Sequence, residues 1–133
     1  MNSPYQALGG RDAVLALVER FYDLMQEQEP ALAALHELDS SGKVSRRNRE
    51  RFALFLVGWL GGPDDYVQQH GHPRLRMRHG HVPIDTAMRD AWLRCMYTAI
   101  EERSVDAATH GFLRARFAEV ADFLRNVAEP AQT

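Results

Sequence analysis

Between residues 61 and 96 the chain carries three short runs: Gly61-Gly62-Pro63, then Gly71-His72-Pro73-Arg74-Leu75-Arg76-Met77-Arg78-His79, then Trp92-Leu93-Arg94-Cys95-Met96. Tyr66 lies between the first two. The glycine pair and the proline cut a helix. The polar stretch that follows ends in a short helical segment that stops before Pro83. Leu75, His79 and Val82 are spaced four and three apart, so they share one face of that segment. His79 therefore points where the apolar residues point, and an imidazole held inward needs a partner for its ring nitrogen.

Outward from this stretch, apolar residues recur at helical spacing, with no convincing strand-like alternation. Gly9-Gly10 separates a short turn from a helix that starts near Arg11 or Asp12, with Val14, Leu17, Val18, Phe21, Tyr22 and Met25 on its inner face. Pro30 opens a short helix carrying Leu32, Leu35 and His36. Asp39-Ser40-Ser41-Gly42 reads as a loop. A helix from about Ser45 to Leu60 turns Phe52, Phe55, Leu56 and Trp59 inward. Asp64 to Pro73 reads as irregular. Asp85 is a good cap for a helix whose inner stripe is Met88, Trp92, Cys95, Met96 and Ala99. The last helix, from about Ala107 to Val127, presents Leu113, Phe117, Val120, Ala121 and Leu124. The pattern predicts an all-α domain of four longer helices. An ordinary bundle does not need an irregular stretch between Leu60 and Leu75, and such a stretch is usually functional.

Composition narrows the classes. A chain of 133 residues with 45% hydrophobic content makes one domain, residues 1–133, with a real core. Its net charge of −2 gives no bias toward nucleic acid or an anionic membrane. Cys95 is the only cysteine, which excludes a disulfide framework. Met1-Asn2-Ser3-Pro4-Tyr5 shows no signal-peptide pattern, and no apolar run reaches membrane-spanning length. A cytoplasmic location with no membrane partner is expected.

The pairs His70/His72 and His79/His81 invite a zinc reading, but residues two apart on a helix point to nearly opposite sides. Cys95 is too isolated to complete a thiolate site. His70, His72, His81 and His110 sit beside polar or turn residues and are expected at the surface. For His79, spacing leaves two readings open. One is a core histidine bonded to a backbone carbonyl. The other is a haem ligand, with nearby arginines suited to the haem carboxylates. Arg46, Arg47, Arg49 and Arg51 at a helix start read as a solvated face.

The same residues resemble a known family. Gly9-Gly10, the Gly61-Gly62-Pro63 break with Tyr66 after it, the run from Gly71 to His79, and Asp90-Ala91-Trp92-Leu93-Arg94-Cys95-Met96 are similar to the truncated haemoglobins of the second group. The resemblance runs from Tyr5 to the final helix. It implies a two-over-two helical sandwich enclosing haem, with loop where a full globin has a helix. It implies His79 as the proximal iron ligand, and Arg51, Tyr66 and Arg78 at the haem propionates. Trp92 and Tyr22 are implied as distal residues. His36 falls where the group often has tyrosine, Phe52 at an inward distal position, and Asn48 near the distal gate.

The resemblance implies haem b (iron protoporphyrin IX), held without covalent attachment because no Cys-x-x-Cys-His motif is present. Phe21, Phe52, Leu56, Leu75, Val82 and Met96 are expected to supply its walls. A pentacoordinate iron, or one closed by Tyr22 in the ferric state, is expected to bind dioxygen and other small diatomic ligands. The hydroxyl of Tyr22, the indole of Trp92 and an N–H of His36 are expected donors to the ligand. Several donors make a poor carrier and suit redox or sensing work, including peroxidase-like or nitric-oxide dioxygenase-like chemistry fed by an unknown reductase. The alternative is an all-α nucleic-acid-binding or regulatory module without cofactor that uses the arginine clusters.

Overall fold

The computed structural model describes residues 3–75, 79–80 and 82–127. Helices α1 (Pro4–Leu8), α2 (Arg11–Gln28), α3 (Pro30–Ala33), α4 (Arg46–Trp59), α5 (Asp65–His70), α6 (Thr86–Glu101) and α7 (Ala107–Leu124) follow in chain order. Leu75 and His79 are also helical, while residues 76–78 and 81 fall outside the described set. Among the described residues the only strand-like feature is an isolated bridge between Leu38 and Val44.

Helix starts are set by side chains that accept otherwise unpaired backbone N–H groups. Ser3 and Gln6 form a reciprocal capping box on α1. Ser45 accepts from Asn48 N on α4, Asp85 from Met88 N on α6, and Asp106 from Thr109 N on α7. Helix α2 is central. It buries Val14, Leu17, Val18, Phe21, Tyr22 and Met25 as its spacing predicts, and it packs on both α4 and α6. Helix α6 in turn packs on α7, so the α2–α4 pair meets the α6–α7 pair. No helix among the described residues is long and apolar enough to cross a membrane.

The glycine pair after α4 has a steric cause. Gly61 sits at φ +103, and a Cβ there would lie 2.8 Å from Ser3 Cβ. A Cβ on Gly62 would lie 2.8 Å from both Val57 O and Tyr5 Cδ2. The pair lets α1 seat against the end of α4, where Tyr5 N donates to Leu60 O at 2.9 Å.

Four expectations need correction. The stretch read as irregular contains α5, which Gln68 ties back to Asp64 at 2.9 Å. Helix α3 ends at Ala33, so Leu35 and His36 lie in the turn beyond it. Helix α7 ends at Leu124 rather than Val127, because the N–H groups of Asn126 and Val127 donate to Ile84 O. The fourth concerns Arg49, which is buried rather than solvated. Its guanidinium donates to Val44 O, Glu19 and Asp23 at 3.0 Å each and to Gln26 at 2.6 Å. A planar fork of five donors is the side chain that can join α2, α4 and the connecting loop in this way. Arg46 is also paired with Glu19. The arginines at the start of α4 therefore do not form a basic stripe.

Candidate functional site

A cavity of about 680 Å³ opens between the helix pairs, a size within the range of cofactor pockets. The sequence-derived ligand, propionate and distal residues that the structure describes all line it, with the walls Phe52, Leu75 and Val82: Tyr22, His36, Asn48, Arg51, Phe52, Tyr66, Leu75, His79, Val82 and Trp92. Arg78 lies outside the described residues. The partial exposure of Phe52, Phe55, Trp59, Met88 and Trp92 on otherwise inward helix faces has this cavity as its cause. Phe21 and Met96, expected as walls, are fully buried and do not reach it. Phe21 instead backs the wall, with ring centroids 4.9, 5.7 and 5.1 Å from Tyr22, Phe52 and Trp92.

His79 sits in the short helical segment before Pro83. Its Nδ1 lies 2.7 Å from Leu75 O. A carbonyl oxygen only accepts, so Nδ1 carries the proton and the neutral ring keeps its lone pair on Nε2. The carbonyl partner that makes an ordinary core histidine is also the partner that fixes the tautomer of a metal-bound one. What separates the two readings is that this ring lines a large, mostly apolar cavity.

Tyr22, on α2, is buried, and its ring meets those of His36 at 5.6 Å and Phe52 at 5.8 Å. Asn48, in the first turn of α4, donates its amide to the Tyr22 hydroxyl at 3.1 Å. That oxygen accepts one bond and keeps its own proton to give. Burial pushes the Tyr22 phenol well above its ordinary pKa, outweighing the Asn48 bond and the charge of Arg49. Tyr22 is therefore a protonated donor. Trp92, on α6, adds an indole N–H at the same wall, its ring 6.3 Å from Phe52.

His36 differs from its expected role. Its Nδ1 lies 3.0 Å from Leu32 O and must donate there. The neutral ring then presents an acceptor at Nε2, not an N–H. Burial lowers its pKa, more than the bonds to Leu32 and Ala33 raise it, which keeps the ring neutral. Only protonation turns His36 into a donor toward the cavity. His70 also departs from expectation: it is half-buried, its ring 5.0 Å from that of Tyr66.

Arg51 has no carboxylate partner among the described residues, although it lines the cavity. Arg89 lines it too, but holds Asp90 at 3.1 Å and Asp122 at 2.6 Å. An unpaired cation at the edge of an apolar cavity suits an anionic group on whatever fills it. The residues fit a haem on four counts: volume, apolar lining, a free imidazole nitrogen and a free cation. Periodicity had marked Phe55, Trp59, Met88, Phe117 and Leu124 as inward without showing that they face a cavity. Ile84 and Arg89 gave no sequence signal.

A family model described as bacterial-like globin matches residues 3–126. The group 2 truncated hemoglobin YjbI of Bacillus subtilis is 34% identical over 128 residues, covering 96% of this chain and 92% of that protein. Among solved structures, the group II 2-on-2 hemoglobin of the plant pathogen Agrobacterium tumefaciens is 38% identical, with a TM-score of 0.84 and 95% of each chain covered. The truncated oxygen-avid haemoglobin of Bacillus subtilis is 33% identical with a TM-score of 0.82, covering 94% of this chain and 100% of that one.

Proposed function

This chain belongs to the bacterial-like globins, and among them to the group II truncated haemoglobins, and on that premise we propose that His79 Nε2 holds haem b in the cavity for the capture of dioxygen and related small ligands. The family makes it a two-over-two, haem-based ligand-binding protein. The observation that carries the residue assignment is the His79 ring, tied at Nδ1 to Leu75 O inside the same cavity as Tyr22 and Trp92.

Haem, when bound, supplies an iron with one coordination position left open to a ligand. The chain supplies the rest. Leu75, Val82 and Phe52 exclude water from the macrocycle faces. Arg51 and Tyr66 meet the propionates, with Arg78 as a third partner. A non-covalent attachment follows from the cysteine count and from Cys95 itself. That thiol is buried, and burial with the charge of Glu29 pushes it up to about 11.

Tyr22 and Trp92 donate to a ligand that gains negative charge on binding, and Asn48 aims the Tyr22 hydroxyl. Tyr22 acts as a donor in this way while the iron is ferrous; the charge of a ferric iron favours the phenolate instead. Two donors slow ligand release, which suits redox or sensing work on dioxygen, nitric oxide or peroxide rather than oxygen delivery. The similar Bacillus subtilis protein described as oxygen-avid fits this direction. The test is the absorption spectrum of purified protein before and after dithionite and then carbon monoxide. A Soret band that passes through a pentacoordinate ferrous form to a carbonmonoxy form is expected. A colourless protein that takes up no added haemin would refute the reading.

A further inference from the structure

Val82 N donates to His79 O at 3.0 Å, and an exposed side chain from beyond α7 adds to that hold on the described residues between His79 and Ile84. Asn126 follows the C-terminal end of α7, 47 residues from His79 in sequence. Its Oδ1 accepts from Ile84 N at 2.8 Å. Its Nδ2 donates to Val82 O at 2.9 Å and to His79 O at 3.1 Å. The main-chain N–H groups of Asn126 and Val127 both donate to Ile84 O, at 2.8 and 3.1 Å. One N–H to be accepted and two carbonyl oxygens to be donated to, of which His79 O already accepts from Val82 N at 3.0 Å, fix the amide's orientation. A primary amide is the short side chain that meets this demand, because aspartate cannot donate and alanine can do neither. Helix α7 gives up its last turn at this point, and the exchange leaves it bonded to the backbone of the histidine.

We propose that Asn126 is a positioning residue for His79, holding the backbone oxygen of that residue so that, with Leu75 O on Nδ1, the ring is fixed at both ends. The inference rests on the reading of His79 as the haem ligand. Partners one step behind a metal ligand orient it, and their loss typically lowers metal affinity about tenfold or more. The Asn126 contact falls on the ligand's backbone, so its signature belongs to the iron–histidine bond and to haem retention, not to the distal donors.

The test compares the haem-loaded full chain with Asn126→Asp and Asn126→Ala. Ferrous, ligand-free protein is read by resonance Raman for the iron–histidine stretching band, and ferric protein by haem transfer to apomyoglobin. Both variants should shift or broaden the band and speed haem transfer about tenfold. Arg125→Met is the control for mere loosening of the helix end. It removes the bonds of Arg125 to Thr86 Oγ1 and Asp122, and among the described residues its side chain bonds to nothing in the His79 segment. It should lower the melting temperature and leave the band in place. An unchanged band in both Asn126 variants overturns the proposal, and so does an equal shift in Arg125→Met. If one Asn126 variant fails to fold, the other decides. A wild-type protein that shows no iron–histidine band overturns the haem-ligand reading itself, and the proposal with it.

Discussion

At the scale of single residues, the site works through which atom gives a proton and which receives one. Tyr22 accepts from Asn48 and keeps its own hydroxyl proton to donate, while Trp92 can only donate. Replacing Trp92 by Phe keeps the ring and deletes the donor, and stopped-flow dioxygen dissociation should accelerate about tenfold, for roughly 1.4 kcal/mol of lost hydrogen bonding. Tyr22→Phe should act in the same direction, and the double variant should exceed either single one. His36 adds a pH dependence. Tyr22 from α2 meets its ring at 5.6 Å, a charge on His79 would act on it, and Arg51 and Glu37 line the same cavity. Its pKa is lowered in the fold, so the ring is neutral at neutral pH with Nε2 as acceptor. As pH falls below about 6.5, protonation turns Nε2 into a donor and dioxygen release should slow. Over the same window the unfolded chain binds the proton first, so His36 also makes the fold less stable as pH falls. Dissociation rates measured from about pH 8 to 5 should slope in the parent and flatten in His36→Phe, and parallel slopes would remove His36 from the site. None of this tautomer chemistry was legible in the sequence, because it depends on where the carbonyl of Leu32 falls.

At the scale of elements, the joins carry the strain and the polar bonds. Gly61→Ala drives a Cβ to 2.8 Å from Ser3, the cap of α1, and Gly62→Ala drives one to 2.8 Å from Tyr5 within it. Each should cost about 1–3 kcal/mol by overpacking, read as a lower urea midpoint with an unchanged slope. Arg49→Met removes the cation that bridges α2, α4 and the loop at Val44. The carboxylates of Glu19 and Asp23 are 38% and 47% exposed and recover water, so the loss should be about 2 kcal/mol rather than that of a fully buried pair. The long helices were legible because each repeats its apolar residues over several turns. Helix α5 was not, since its six residues bury only Tyr66 and leave Val67 exposed. One turn with one buried residue shows no period. The early end of α7 was hidden for another reason. It follows from bonds to Ile84, 42 residues away in sequence, which no local pattern records.

At the scale of the whole molecule, four helices with ordinary amphipathic faces enclose a cavity instead of closing on one another. The sequence showed which faces turn inward, and the resemblance supplied the reason why some of them meet no protein partner. Those of its residue assignments that fall on described residues line one cavity, although they come from α2, α4, α5, α6 and the segments around α3 and His79. The arginine fork and the asparagine that steady the cavity were invisible, because burial and long-range bonds decide their roles. The central claim is that His79 Nε2 is the bond between this fold and haem. It is tested most directly by ferrous spectra of His79→Gly, which opens a gap the size of the lost ring, with and without added imidazole. The variant should lose most of its haem or the pentacoordinate ferrous spectrum, and imidazole diffusing into the gap should restore that spectrum. A His79→Gly protein that retains haem with the parent's ferrous spectrum in the absence of imidazole would contradict the account.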